Sequence, residues 1–242
     1  PFGAYRFPGM NYTINNNQWN GNILMPTPLQ LVNSDIRGAV ATQQEIGLDL
    51  EFLHNRLGLS ATYWDGSEVN FPFALSINGA SGYTSLLTNI GRITKRGLEL
   101  QLRGSPIRTT EFNWNINLTY SKLIRNDIVS LSPENGVTRT ASVANVGFAA
   151  LPQIYHEEGQ RWGQLIGSGI LRNEQGVPIL DDAGYYQRAD NISFGSVLPD
   201  FTGGIQNTFT YKGFNLAFNI DYQFGGKFSS LSTAFGAFSG QS

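Results

Sequence analysis

Two histidines, His54 and His156, are the only imidazoles in the chain, and they limit what proton-transfer or metal chemistry it can perform near neutral pH. They stand about a hundred positions apart, so a catalytic or metal-binding constellation would need distant carboxylates to join them. We read both as solvated turn or loop residues. Asp181-Asp182, following Asn173 and Glu174, offers oxygen ligands of the kind a hard cation prefers. The spacing follows no regular ligand pattern, and a solvated acidic loop is the preferred reading. The run Gly159, Gly163, Gly167, Gly169 has no Lys-Ser/Thr ending and no helix to follow, so it is no phosphate cradle. Glycines that admit bends or close backbone approach explain it better.

No nucleophile, base and orienting group fall at a recognisable spacing, so no enzymatic activity and no cofactor are expected. The chain has no Cys, which removes disulfides, thiolate chemistry and Cys-ligated zinc. What remains is aromatic. Trp64, Tyr83, Trp162, Tyr185 and Tyr186 lie in or beside long irregular segments, where their rings can stack on sugar faces or peptide side chains. They are the substrate-binding candidates, and the competing reading is that they pack loops against one another.

The elements that would position these residues are strands. Leu98, Leu100 and Leu102 alternate with Glu99, Gln101 and Arg103, a two-residue period. After a turn-like 104–111 stretch, Phe112, Trp114, Ile116, Leu118 and Tyr120 alternate with Asn113, Asn115, Asn117, Thr119 and Ser121. A second hairpin runs from Glu45 through a His54-Asn-Arg56 turn to Trp64. A third leads from Phe201 through Lys212-Gly213 to Phe214, Leu216, Phe218, Ile220, Tyr222 and Phe224. Hairpins are thus expected near 44–65, 92–123 and 199–226, with long loops at 1–42, 65–91 and 124–198, the last with room for extra short strands.

The hydrophilic face of these strands is mostly Asn, Thr and Ser rather than Lys, Glu and Arg, and the apolar face has aromatics near both ends. That pattern is expected of an antiparallel transmembrane β-barrel, with Trp114, Ile116, Leu118, Leu216, Phe218 and Ile220 facing lipid and Asn115, Asn117, Asn219 and Asp221 facing the lumen. Each run has roughly 9 to 13 residues, close to the roughly 9 to 11 a tilted strand needs to cross the hydrocarbon.

Composition agrees. Only 14% of the 242 residues are charged, while 12% are aromatic and 28 are Gly; an ordinary soluble domain carries roughly 25% charge. A net charge of -2 gives no reason to expect nucleic acid. No run approaches the roughly 20 apolar residues of a membrane-spanning helix.

Several motifs together resemble the SusC/RagA-like TonB-dependent outer-membrane transporters of the Bacteroidota. They are Gln44-Glu-Ile-Gly-Leu-Asp49, Asn89-Ile-Gly91 running into Lys95-Arg-Gly-Leu-Glu-Leu100, Glu158-Gly-Gln160 with Gly163, Leu198-Pro-Asp-Phe-Thr-Gly-Gly204, Tyr211-Lys-Gly-Phe-Asn-Leu216, and Gly225-Gly226-Lys227. The resemblance implies an all-β plugged barrel of about 22 strands, of which residues 1–242 form part of the wall, without the plug. It also implies import of glycan or peptide oligomers across the outer membrane, with a SusD-like lipoprotein and, through the N-terminal part, the TonB complex as partners. The alternative is a soluble β-sandwich binding or adhesin domain without transport activity.

Both termini read as loop material, Ala234 to Ser242 included, so the chain is expected to be an internal piece of a longer protein. About six strands cannot close, so Glu45–His54 and Phe214–Phe224 should each present an unpaired edge.

Overall fold

The computed structural model describes residues 15–24, 27–132, 136–140 and 151–241. Expectations for Pro1 to Tyr5, for Met25-Pro26 and for the 133–135 and 141–150 parts of the long loop fall outside the described residues. Among the described residues twelve strands and one short α-helix follow in order: β1 Asn15–Trp19, β2 Asn22–Leu24, β3 Gln30–Val32, β4 Val40–Phe52, β5 Leu57–Ser76, β6 Ser85–Arg108, β7 Phe112–Ser130, β8 Gln153–Tyr155, β9 Gln164–Ile170, β10 Arg188–Ser196, β11 Phe201–Tyr211, β12 Phe214–Phe224 and α1 Leu231–Phe238. The expected 1–42 loop therefore holds interrupted strands, with β1 and β2 forming a small hairpin.

The main sheet has the order β12-β11-β7-β6-β5-β4, antiparallel throughout, and β3 adds a parallel pairing on the far end of β6. The three expected hairpins are therefore one continuous wall, because β11 pairs with β7 across the whole 131–200 insertion. Among the described residues β4 and β12 are each paired on one side only, as expected of Glu45–His54 and Phe214–Phe224.

Three short turns close one end of the wall. In the Lys212-Gly213 turn both residues have positive φ, 44° and 90°, the combination that lets a two-residue turn follow the sheet's twist. Leu53, His54 and Asn55 are likewise left-handed, and His54 is an exposed turn residue, as expected.

The far end departs from the 65–91 loop expectation. β5 and β6 continue as a paired ribbon to Ser76 and Ser85, closed by a turn with one 3-10 helical segment at Gly79–Ser81. Asp65-Gly66, Asn70 and Pro72 read as turn signals, yet all lie inside β5. Asn70 takes a left-handed φ of 58°, and the Asn89 side chain absorbs the irregularity. Its amide donates to the carbonyls of Asn70 at 2.7 Å and Arg37 at 2.8 Å, while its oxygen accepts from Arg37 N–H at 2.8 Å. A side-chain amide from a neighbouring strand thus does what a regular ladder would otherwise do.

The 124–198 region is also more ordered than a loop. β7 runs on to Ser130, and β8, β9 and β10 form a separate three-stranded antiparallel sheet. Residues 157–162 dock beside the end of β7, where Ile128 N–H donates to Gln160 and Trp162 N–H to Asn126. The C-terminal stretch is not all loop: α1 starts at Ser230, whose hydroxyl accepts from Thr233 N–H, an ordinary N-cap.

The buried core lies in this far part. Ile90, Ile128 and Leu131 are essentially sealed, with Phe71, Phe73 and Trp162 packed against them. No residue of the apolar face expected between the short turns and Tyr63, Leu98 and Tyr120 is among the buried hydrophobics.

Candidate functional site

Cross-strand register decides which side chains share a face, because directly paired residues point the same way and neighbours alternate. Leu48 pairs with Ala61 and Ala61 with Leu100; Leu102 pairs with Leu118, Leu118 with Ile205 and Ile205 with Ile220. Trp114 pairs with Phe209, which pairs with Leu216. One face of the wall is thus apolar from β4 to β12, and Trp114, Ile116, Leu118, Leu216, Phe218 and Ile220 all lie on it. Asn115, Asn117, Asn219 and Asp221 lie on the other.

On the apolar face rings stack along the rows, with Trp114 on Phe209 at 5.6 Å, Phe201 on Phe224 at 5.1 Å and Tyr120 beside Phe201 at 5.4 Å. Its one buried polar side chain in the band, Asn207, is answered by the Trp114 indole N–H at 3.2 Å, so the amide oxygen is not left bare. Sequence reading passed over this pair because the partners are far apart in the chain. Tyr222 lies flat across Gly203, where a Cβ would collide with the ring, and its hydroxyl donates to the Thr119 carbonyl at 3.1 Å.

The other face is a hydrogen-bonded lattice of uncharged amides and hydroxyls with a few ion pairs. Gln101 donates to Asn117 at 2.8 Å, Asn117 to Gln206 at 3.1 Å and Ser105 to Asn115 at 2.6 Å. Arg103 pairs with Glu51 and Lys95 with Glu68. A shallow groove of about 720 Å³, lined by Ser60, Thr62, Glu99, Gln101, Thr119 and Thr202, opens on this face. Glu99 and Asp221 are its charged groups, and the rest of its polar lining is uncharged.

The expected substrate-binding aromatics are not brought together. Trp64 lies within β5 rather than in a loop, on the polar face, its ring covering Gly97 and its N–H donating to Glu99 at 3.3 Å. Tyr83 is half-buried in the turn between β5 and β6. Trp162 packs against the Ile90–Ile128–Leu131 cluster and stacks on His156 with ring centroids 3.5 Å apart. Only Tyr185 and Tyr186 are neighbours, both well exposed, on the arm between β9 and β10.

His156 corrects the expectation of a solvated loop residue: it is 3% exposed. Trp162 covers one face, Phe73 meets its edge at 5.7 Å, and Nδ1 accepts the Gly163 N–H at 3.3 Å. Burial pushes its pKa down to about 4, because the imidazolium would be desolvated. It is a neutral packing residue.

Asp181 is likewise engaged: its Oδ1 accepts from Ala183 N–H at 3.0 Å and Tyr185 N–H at 2.9 Å, closing a turn. Asp182 is exposed beside it. Among the described residues no three His, Asp or Glu side chains converge as a metal site. Gly159 and Gly163 have left-handed φ and Gly167 lies against Pro152, so these glycines mark bends and close approach.

Comparison with known proteins agrees with the wall geometry. Residues 3–238 match the family described as TonB dependent receptor-like, beta-barrel. TonB-dependent receptor P39 of Formosa agariphila is 25% identical over 82% of this chain and 23% of its own length. TonB-dependent receptor SusC of Bacteroides thetaiotaomicron is 23% identical over 78% of this chain and 20% of its own. Among solved structures, the RagAB peptide transporter superposes with a TM-score of 0.69 at 18% identity, covering 90% of this chain and 24% of that one. The chain spans about a quarter or less of the length of each of these proteins. It belongs to the TonB-dependent receptor β-barrel family of outer-membrane proteins, a family of receptors and transporters rather than enzymes.

Proposed function

We propose that this chain forms part of the wall of an outer-membrane importer for nutrient oligomers, glycans or peptides. The apolar face meets lipid, and the Asn-, Gln- and Thr-rich face lines the lumen and faces the plug. The observation that carries the reading is the uncovered apolar face. Leu216 is 62% exposed and Phe218 44%, although β11 and β12 are fully paired along their length. A soluble β-sandwich would bury that face under a second sheet, and among the described residues no layer covers it. Strands beyond residues 1–242 then satisfy the free edges of β4 and β12 and close the barrel.

The long end of the wall, with the β8–β10 sheet and the exposed Tyr185-Tyr186 arm, is its outer end, since barrels of this class put short turns on the periplasmic side. There the arm offers flat aromatic surface to sugar or peptide, and a SusD-like lipoprotein closes over it. The TonB complex acts through the N-terminal part of the protein. The likeness to the RagAB peptide transporter supports peptide as one such cargo. Deleting the gene for the full-length protein should abolish growth on one class of oligosaccharide or peptide while growth on the monomers is kept. Unchanged growth on every oligomer tested would reject import as the role.

A further inference from the structure

We propose that the outward side of the wall, one rung beyond the apolar band, binds the phosphorylated headgroup of an outer-leaflet lipid through Arg96, Lys122 and Arg125. The proposal rests on the lipid-facing reading above.

Register places the three cations. Lys122 pairs with Leu98, and Arg96 pairs with Asp65 on one side and Arg125 on the other. A bulge at Ile124 keeps Arg125 on the face of Arg96, since register shifts by one residue there. All three therefore continue the apolar face, just past Tyr63, Leu98 and Tyr120, with Arg92 four residues farther along β6. In a membrane-spanning wall this is headgroup depth, where a ring of aromatics gives way to charge.

The patch carries more positive than negative charge. Two guanidinium groups directly opposite in a ladder repel, and each is held by one carboxylate: Arg96 Nε donates to Asp65 at 2.6 Å and Arg125 Nε to Asp127 at 3.0 Å. Both bonds use the inner nitrogen, and no terminal amino group of either makes a hydrogen bond among the described residues. Lys122 and Arg92 are exposed and make no ion pair among the described residues. Arg161, opposite Asp127, is engaged with Asp200 at 3.1 Å and with the carbonyls of Leu123 and Pro199. The cations Arg92, Arg96, Lys122, Arg125 and Arg161 thus outnumber Asp65, Asp127 and Asp200 on this patch. Planar guanidinium forks beside a mobile ammonium match the oxygens of a phosphate. The aromatic rim below, at Tyr63, Tyr120 and Phe201, suits the start of an acyl chain.

The test uses the purified full-length protein in nanodiscs doped with a phosphorylated outer-membrane glycolipid, or with the same lipid after enzymatic dephosphorylation, read by native mass spectrometry. Wild type should retain the phosphorylated form preferentially. Lys122→Gln and Arg125→Gln should each weaken retention by about fivefold, the weight of one cation near an anionic surface, whereas Lys212→Gln at the opposite rim should not. Lys122 has no partner to lose, so that variant isolates binding from folding. Equal retention of the dephosphorylated lipid would overturn the site while leaving the lipid-facing reading intact. An equal effect of inorganic phosphate alone would assign the cluster to a free anion and overturn the lipid assignment. Failure of the full-length protein to enter bilayers would remove the lipid-facing reading and this proposal together.

Discussion

The same three strands, β5, β6 and β7, build two regions with opposite physics. Between the bulge at Gly104–Ile107 and the row of Tyr63, Leu98 and Tyr120 they carry strict alternation, an uncovered apolar face and no buried hydrophobic side chain. Past Tyr63, Leu98 and Tyr120 the alternation fails, bulges interrupt β7, and Ile90, Ile93, Ile128 and Leu131 are at most 1% exposed. The first region lacks a protein core because, on the proposed reading, its apolar solvent is lipid. The second must make a core of its own, and it recruits the 157–162 segment, Trp162 and His156 to do so. One sheet that spans both regions can thus serve two solvents, with the change made by side-chain pattern and by the bulges in β7.

The contrast should be visible first in the far core. Leu131→Ala removes a sealed side chain and should cost about 2 to 5 kcal/mol, and the loss should be the same in detergent and in lipid. In the band, Leu118→Arg in the full-length protein should cost roughly 2 to 4 kcal/mol for folding into vesicles, against much less for Asn117→Arg. Equal costs at these adjacent positions would reverse or abolish the assigned facing.

His156 supplies a pH-dependent version of the same comparison. Its folded-state pKa is pushed down to about 4, so between that value and about 6.5 the unfolded chain binds more protons than the folded one. The far core should therefore keep full stability above pH 6.5 and lose on the order of 3 kcal/mol as pH falls toward 4. Hydrogen exchange at 153–166 should show it, and His156→Phe should flatten the dependence while the band is unaffected. A smaller effect belongs to the band's own buried polar group. Trp114→Phe leaves the Asn207 oxygen without its 3.2 Å donor and should cost about 1 to 3 kcal/mol, which Trp114→Phe combined with Asn207→Leu should largely restore.

Much of the wall was legible because a half-exposed strand writes its environment into every second residue. The runs at 45–52, 98–103, 112–121 and 214–224 predicted strand, partner and face together. The ribbon from Asp65 to Ser85 was not legible, since both sides of it are covered or irregular and its Asn70 and Pro72 imitate a turn. The motif residues Asn89, Gly97, Glu158 and Gly203 sit at close approaches and hydrogen bonds between segments distant in the chain.

By itself, then, the sequence determined the alternating strands, the apolar or polar character of each face and the lack of any cysteine chemistry, all of which follow from local period and residue type. Only the tertiary structure decided that β7 pairs with β11 across the insertion, that His156 is buried against Trp162, and that Arg96 faces Arg125. Those facts depend on register between segments tens of residues apart, and a bulge of one residue, as at Ile124, is enough to change which side chains meet.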